Sequence, residues 1–474
     1  MTSLVLLALF ALAPNQIRPN IVLINCDDLG YGDIGPFGAK TIRTPHLDKL
    51  AKKGRTFTNF HVAQPVCSAS RAGLLTGCYP NRLGIHGALG PKARHGIHAD
   101  EETIAGLLQR GGYFTAAIGK WHLGHREPFL PTRHGFDSYF GLPYSNDMWP
   151  HHPESKKGTY PNLPLFRNEK IIDEDVTPAE QTTLTSRYTR EAVRFLETSS
   201  KSGKPFFLYL AHSMPHVPLF AGPQFAGKSK AGTLGDVIEE IDDSVGQVIA
   251  TLQKSGTLET TWIIFTSDNG PWLSYGEHAG SSGPFREGKG TCFEGGVRVP
   301  CIMSWPGRLS PNTRVDTNFM TIDLLPTIAA QLNLVRNGPP IDGRDVWDFI
   351  TSKPGAKNPH EGYAFYFENN QLQAVATNDG RYKLQLPHVY RTLSGRPGGK
   401  GGIPARYDQK TIQIPELYDL VADPSEIRDI SAKEPEMLQK LLRFAQKCRT
   451  DMGDSLTKSV GMGIRPPGIL PDGQ

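Results

Sequence analysis

The chain has 474 residues, enough to bury a large core and to form two compact units. Charged residues make up 21% and hydrophobic ones 38%, the balance of a soluble globular enzyme. With 51 Lys and Arg against 47 Asp and Glu, the net charge of +4 excludes a protein that holds nucleic acid or a membrane surface by its overall field, so any anion must be bound by local clusters.

Residues 1–13 contain an apolar run, Leu4 to Leu12, too short to span a bilayer. Ala11-Leu12-Ala13 has the small-x-small form of a leader cleavage site. Residues 1–13 are therefore expected to be a signal peptide, which sends a chain starting near Pro14 to the periplasm or out of the cell. No Lys or Arg precedes the run, so a buried first strand or a mis-assigned start codon is the competing reading. Asn20 to Asn25 (NIVLIN) has the pattern of a strand buried on both faces, and it runs into Asp27-Asp28-Leu29-Gly30.

Ser68 to Thr76 reads as a helix stopped by Gly77. Position 67 then sits at the helix N-terminus, where free N–H groups and the dipole attract an anion. Arg71, one turn on, projects toward the same anion as a forked donor. On this reading alone Cys67 is a thiol of low pKa, with a buried structural cysteine as the alternative. Tyr188 to Leu196 has helical spacing, and Phe206 to Ala211 (FFLYLA) is a second buried strand, ending in His212 and His216. Val237, Ile241, Val245, Val248, Ile249 and Leu252 mark another helix. Trp262 to Thr266 (WIIFT) is a third strand, followed by Ser267-Asp268-Asn269-Gly270.

Strands alternating with helices predict an α/β fold over residues 14–355, a largely parallel sheet sandwiched by helices. Ligands of such sheets collect at the carboxyl ends of the strands, so three polar strand ends point to one site. Asp27, Asp28, Asp268 and Asn269 offer hard oxygen ligands to a divalent cation, provided that their two strands are neighbours. Taken singly, each pair is also an ordinary turn sequence. Lys353 to Pro359 reads as a linker. Residues 360–474 are expected to form a smaller α+β unit. Its strand-like runs are Tyr363 to Glu368, Gln373 to Thr377 and Tyr382 to Leu386, and its helix is Glu434 to Arg449. The Gly-rich basic stretch Arg391 to Arg406 reads as a flexible surface loop rather than a substrate wall, although with Asp147 to Asn168 and Leu219 to Thr233 it is one of the loops expected to set specificity. Six cysteines without a CxxC pair indicate neither a disulfide scaffold nor a zinc site, and Cys26 is expected to be a buried, inert thiol.

Cys67-Ser68-Ala69-Ser70-Arg71 with Leu75-Thr76-Gly77 resembles the signature of the formylglycine-dependent sulfatases: Cys, any residue, Pro or Ala, any residue, Arg, then Leu-Thr-Gly. Ala69 stands where the commonest form has Pro, which bears on the choice of maturation enzyme. Gly112 to Thr115 followed by Gly119-Lys120-Trp121-His122-Leu123-Gly124 resembles the family's second signature. Gly288-Lys289-Gly290, Glu294 to Arg298, and Leu417 to Leu420 with Asp423-Pro424 resemble later blocks. Pro143-Tyr144-Ser145 and His216-Val217-Pro218 resemble the arylsulfatase A and galactosamine 6-sulfatase branch of the alkaline-phosphatase-like superfamily.

The resemblance implies hydrolysis of sulfate monoesters, aryl or carbohydrate, with Cys67 oxidised by a maturation enzyme to formylglycine (3-oxoalanine). It implies one divalent metal held by Asp27, Asp28, Asp268, Asn269 and an oxygen of the modified Cys67. All-oxygen ligation favours calcium, with magnesium as the alternative, over zinc. Lys120, Lys289, His216 and Ser145 would surround the sulfate, with Arg71 and His122 supporting the nucleophile. The aldehyde hydrate would attack sulfur with Asp268 as base, His216 or Lys289 would protonate the leaving oxygen, and His122 would take the second proton. A phosphate or phosphonate monoester hydrolase of the same superfamily is the nearest rival; its phosphatases commonly use Ser or Thr with two zinc ions and more His ligands. An inactive sulfated-glycan-binding protein would have lost a charged role, and none is missing here.

Overall fold

The apolar runs of the sequence become the middle of a ten-stranded sheet. In this computed structural model, residues 18–152, 155–156 and 158–471 are described; the expected leader, residues 1–13, lies outside them. The sheet strands in chain order are β1 (Asn20–Cys26), β2 (Arg55–Phe57), β3 (Phe114–Gly119), β4 (Ser138–Gly141) and β5 (Leu165–Arg167), then β6 (Lys170–Asp173), β7 (Phe206–Ala211), β8 (Thr261–Ser267), β9 (Cys301–Ser304) and β10 (Thr313–Val315). Their spatial order is β10-β2-β9-β8-β1-β7-β3-β4-β5-β6. The neighbours β8, β1, β7, β3 and β4 all run parallel, and antiparallel pairings flank them on both sides.

Both faces of the sheet are covered, which is why β1, β7 and β8 are buried along their whole length. Ile21 and Leu23 of β1 join one core and Val22 and Ile24 the other, as the two-residue period of a strand requires. The main helices are α1 (Pro45–Lys53), α2 (Cys67–Thr76), α3 (Leu184–Lys201), α4 (Gly232–Lys254) and α5 (Pro435–Met452). Ala72, Leu74 and Leu75 of α2 pack into the first core; Tyr188 and Leu196 of α3 and Val237, Ile241 and Val245 of α4 pack into the second.

The segment 353–359 contains neither helix nor strand. Beyond it stand β11 (Gly362–Phe367), β12 (Gln371–Thr377), β13 (Tyr382–Gln385), β14 (His388–Thr392), β15 (Asp408–Ile412) and β16 (Glu416–Asp419). An antiparallel sheet in the order β11-β12-β13-β16 carries α5, and β14 and β15 form a separate ribbon. Tyr366, Leu372, Leu441 and Ala445 continue the first core, so this smaller unit packs on the main sheet through shared apolar contacts. All six cysteines are buried free thiols.

The stretch 391–406 departs from its expectation. Arg391 and Thr392 end β14, and the loop after them is tied to the segment 274–277. Gly399 N and Ala405 N donate to Ser274 O, Gly401 N donates to Glu277 Oε1, and Ser274 N donates to the Tyr407 hydroxyl. A Cβ on Gly276 would lie 2.1 Å from Gly399 O. Gly276, Gly398 and Gly399 permit close backbone approach, whereas a Cβ on Gly395 or Gly401 would meet open space.

Candidate active site

Five parallel strands end side by side, and the residues that follow each of them converge. Cys26 pairs with Ser267, which sets Asp27-Asp28 beside Asp268-Asn269. Asp28 N donates to Asp268 Oδ1 at 3.1 Å, and Asn269 Nδ2 donates to Asp28 Oδ1 at 2.7 Å. Asp28 takes a left-handed backbone, φ 62, that turns the chain sharply out of β1. At the end of β3, Gly119 bends with φ +109, and a Cβ there would lie 1.8 Å from Ala211 O. Only glycine keeps β3 paired with β7 while Lys120 swings into the cluster. Lys120 Nζ donates to Asp27 Oδ2 and, at 3.2 Å, to Ser145 Oγ. Ser145 Oγ lies 3.4 Å from His216 Nε2.

Cys67 is the first residue of α2, which Gly77 closes with φ 72. Lys289 Nζ donates to Asp28 Oδ1 at 2.8 Å and sits 3.4 Å from Cys67 Sγ. Every residue singled out from the sequence for the site is at most 5% exposed. His212 stands apart: its Nε2 faces Ser244 Oγ at 3.3 Å, and burial lowers its pKa to about 4. Arg71 does not aim its fork at an anion ahead of the helix. Its Nε and Nη2 lie 2.9 and 2.7 Å from Asp268 Oδ2, and Nη1 donates to the Lys120 carbonyl at 3.0 Å. A fork spent in this way holds Asp268 in place.

Burial pushes the Cys67 thiol up to about 12; Lys120 and Lys289 pull against it, while Asp27 and Asp268 push with it. The low-pKa thiol expected from the helix terminus is overturned, because desolvation outweighs the dipole and both ammonium groups. Burial and then Asp27 drive Asp268 up to about 7 against Arg71 and Lys120. Burial, then Lys120 and Arg71, hold His122 well below the usual histidine range. Its Nε2 must donate to the Leu89 carbonyl at 2.9 Å, so Nδ1 keeps a free lone pair, buried and without a partner.

Asp27 Oδ1 and Asn269 Oδ1 are buried and receive no hydrogen bond. Stranding a buried acceptor costs about 1–3 kcal/mol, and a hard divalent cation suits carboxylate and amide oxygens. Asp27, Asp28, Cys67 and His216 each bring a ligand atom within 4.8 Å of the others. That grouping contains His216 and leaves out Asp268, whose two oxygens are held by Arg71 and by the Asp28 N–H. The orphaned atoms nevertheless mark the Asp27 and Asn269 side as the one suited to a cation, since His216 Nε2 already faces Ser145.

The sequence profile described as Sulfatase matches residues 19–334. The chain belongs to the sulfatase family. The sulfatase is 36% identical to N-acetylgalactosamine-6-sulfatase of Mus musculus, over 94% of this chain and 88% of that protein. It is 36% identical to arylsulfatase A of Homo sapiens, over 92% and 89% of the two chains. In structure it resembles the PsFucS1 sulfatase of Pseudoalteromonas sp., with a TM-score of 0.81, 28% identity, and 91% and 89% of the chains covered. Its chemistry is accordingly the hydrolysis of sulfuric esters.

Three features of the sulfatase site escaped the sequence reading. The Tyr209 hydroxyl lies 3.4 Å from both Arg71 Nη1 and Asn25 Nδ2. Its signal was a lone polar tip inside the apolar run FFLYLA. Trp272 packs against His216, with ring centroids 5.7 Å apart, and under Lys289 Nζ at 4.6 Å. Its place just after Asp268-Asn269-Gly270 was the available hint. The Leu89 carbonyl that sets the His122 tautomer carries no side-chain signal at all.

Proposed function

We propose that this sulfatase removes a terminal sulfate from a carbohydrate, using a formylglycine made from Cys67 and one calcium ion, with magnesium as the alternative. Asp27, Asp28, Asp268 and Asn269, with an oxygen of the modified Cys67, would hold the ion. The observation that carries this reading is the pair of orphaned oxygens, Asp27 Oδ1 and Asn269 Oδ1, in the cluster that contains Cys67. The bound ion would withdraw charge from the sulfate oxygens as a Lewis acid. Formylglycine would supply, as its hydrate, one hydroxyl to attack sulfur and a second whose loss of a proton expels sulfate.

The chain's own groups suit the remaining tasks. Burial works against the charge on Lys120 and Lys289, but Asp27 and Asp28 respectively outweigh it and hold both lysines above the ordinary lysine range. Two fixed cations in a dry site neutralise an anionic ester that would otherwise repel a nucleophile. Asp268, its Oδ2 held by Arg71, would take the proton of the attacking hydroxyl. Arg71 orients it, and Tyr209 steadies Arg71. His216 Nδ1 donates to the Val217 carbonyl at 2.5 Å, which leaves Nε2, beside Ser145, as the nitrogen that protonates the leaving oxygen. Lys289, bonded to Asp28, serves better as a fixed charge than as the acid. His122 Nδ1 takes the second proton.

A relative named for a sugar, N-acetylgalactosamine-6-sulfatase, supports a carbohydrate as natural substrate. The leader-like residues 1–13 support export to the periplasm or secretion, with a maturation enzyme oxidising Cys67. The test combines three measurements on protein matured in cells: the mass of the peptide containing Cys67, the bound metal, and turnover of an aryl sulfate against an aryl phosphate. Formylglycine, about one calcium per chain, and a preference for sulfate are expected. Full activity with an intact thiol, or faster phosphate cleavage, would sink the reading.

A further inference from the structure

Arg391 belongs to the smaller C-terminal unit, yet its side chain reaches the catalytic cluster. Its guanidinium carbon lies 4.8 Å from the centre of the Tyr407 ring and 5.8 Å from that of Trp272. Trp272 also carries Lys289 Nζ and packs against His216. Arg391 Nε and Nη2 donate to the Lys289 carbonyl, the former at 3.1 Å. Among the described residues Nη1 has no acceptor, and no carboxylate forms an ion pair with the side chain.

The three cations of the catalytic cluster are each paired with a carboxylate, and Arg286 spends its donors on neutral oxygens. Arg71 has Asp268, Lys120 has Asp27, and Lys289 has Asp28. Arg286 donates to the Glu426 carbonyl and the Tyr390 hydroxyl. The acids closest to Arg391 are taken or distant: Asp28 binds Lys289, Glu287 accepts from Thr392, and Glu368 is exposed. Burial therefore lowers the pKa of Arg391, whereas Arg71, with its carboxylates, is raised. A half-buried fork with an open donor and no counter-charge is complete only when an anion arrives. Its neighbours Trp272 and Tyr407, both half-buried, offer ring surface against which a sugar can lie.

We propose that Arg391 binds a second anionic group of the substrate, a carboxylate or a further sulfate on the sugar, while the scissile sulfate lies at Cys67. The inference rests on the sulfatase reading above and deepens it: the preferred substrate is a polyanionic sugar rather than a simple sulfate ester. Position 391 would then be a determinant of specificity contributed by the C-terminal unit.

The test uses the full matured chain as wild type, Arg391→Met and Arg391→Lys. Four substrates are compared: 4-nitrophenyl sulfate, N-acetylgalactosamine monosulfate, a monosulfated disaccharide containing a uronate, and a disulfated monosaccharide. Wild type is expected to prefer at least one of the dianionic sugars to the neutral sugar monosulfate, and the one preferred tells carboxylate from sulfate. In Arg391→Met the ratio of kcat/KM on that sugar to kcat/KM on 4-nitrophenyl sulfate should fall about tenfold, chiefly through KM. Arg391→Lys should recover part of it, because charge is kept and the fork is lost. A ratio keeps this effect apart from any general loss transmitted through Lys289. No preference by wild type for either dianion, or equal losses on every substrate, would overturn the proposal. Calorimetric binding of the same sugars separates it from the parent reading. Arg391-dependent binding without hydrolysis would reject the catalytic reading alone, and hydrolysis with Arg391-independent binding would reject this one alone.

Discussion

The molecule buries charge at the strand ends and again where the C-terminal unit meets the main sheet, and the two clusters are finished differently. In the second, Glu294 accepts from Lys383 at 2.7 Å, His61 at 3.0 Å and Arg298 at 3.2 Å. Glu426 accepts from Gln385 at 2.9 Å and from the Glu294 N–H at 2.6 Å. Every carboxylate oxygen there has a donor, and only the neutral His61 Nδ1 and Gln385 Oε1 go without. At the strand ends it is a carboxylate oxygen of Asp27 and the amide oxygen of Asn269 that are stranded, while Asp27, Asp28 and Asp268 crowd together. A satisfied buried ion network joins two units; one that balances its charges yet leaves acceptor oxygens stranded is arranged for something that binds.

The sharpest way to break this distinction is Cys67→Ala. Aryl sulfate hydrolysis should fall by about 10³-fold or more, with stability changed by only about 1 kcal/mol. Residual turnover near that of wild type would show that the strand-end cluster does not work through this position.

Lys383→Met should do the reverse. Removing one partner of a buried pair costs about 3–5 kcal/mol, read as a lower midpoint in urea unfolding, while the folded fraction keeps its sulfate hydrolysis. An unchanged midpoint would mean that the second cluster holds nothing together.

Calcium at a hundred times its Kd should raise stability by about 2.7 kcal/mol. Chelation should remove the gain, Asp27→Asn should abolish it, and Lys383→Met should retain it. An equal calcium response in the Asp27 variant would place the ion elsewhere.

The smallest expected effect is a pH dependence carried by Glu294. Burial would raise its pKa, but Lys383 and then His61 outweigh that and hold it well below its ordinary value of 4.5. The unfolded chain therefore binds the proton more readily. The stabilisation is complete above pH 4.5 and is lost as pH falls through the depressed folded value. Glu294→Gln should flatten the acid side of the stability profile, and identical acid limbs would discount the ion pair.

The strands that position the site were legible because each is a short apolar run ending in polar residues. Asn20–Cys26, Phe206–Ala211 and Thr261–Ser267 lie where NIVLIN, FFLYLA and WIIFT were read, within a residue of each end. The stop at Gly77 was legible because a left-handed residue after a helix calls for glycine. Gly398 and Gly399 misled: the same residue serves a mobile loop or a tight approach, and only the segment 274–277 decides which. His212 and His216, four residues apart, were separated by their neighbours, Ser244 for one and Ser145 for the other.

From the sequence alone came the alternation of strands and helices, the carboxylates at two strand ends and the cysteine at a helix start, since these follow from local pattern and side-chain chemistry. The tertiary structure alone decided that Asp28 and Asp268, 240 residues apart, share a hydrogen bond. It likewise decided that the Cys67 thiol is raised rather than lowered, that Arg71 clamps Asp268, and that Arg391 reaches in from the other unit. Proton affinity and pairing depend on how much water is excluded and which distant groups arrive within a few ångströms, and neither quantity is written in the order of neighbouring residues.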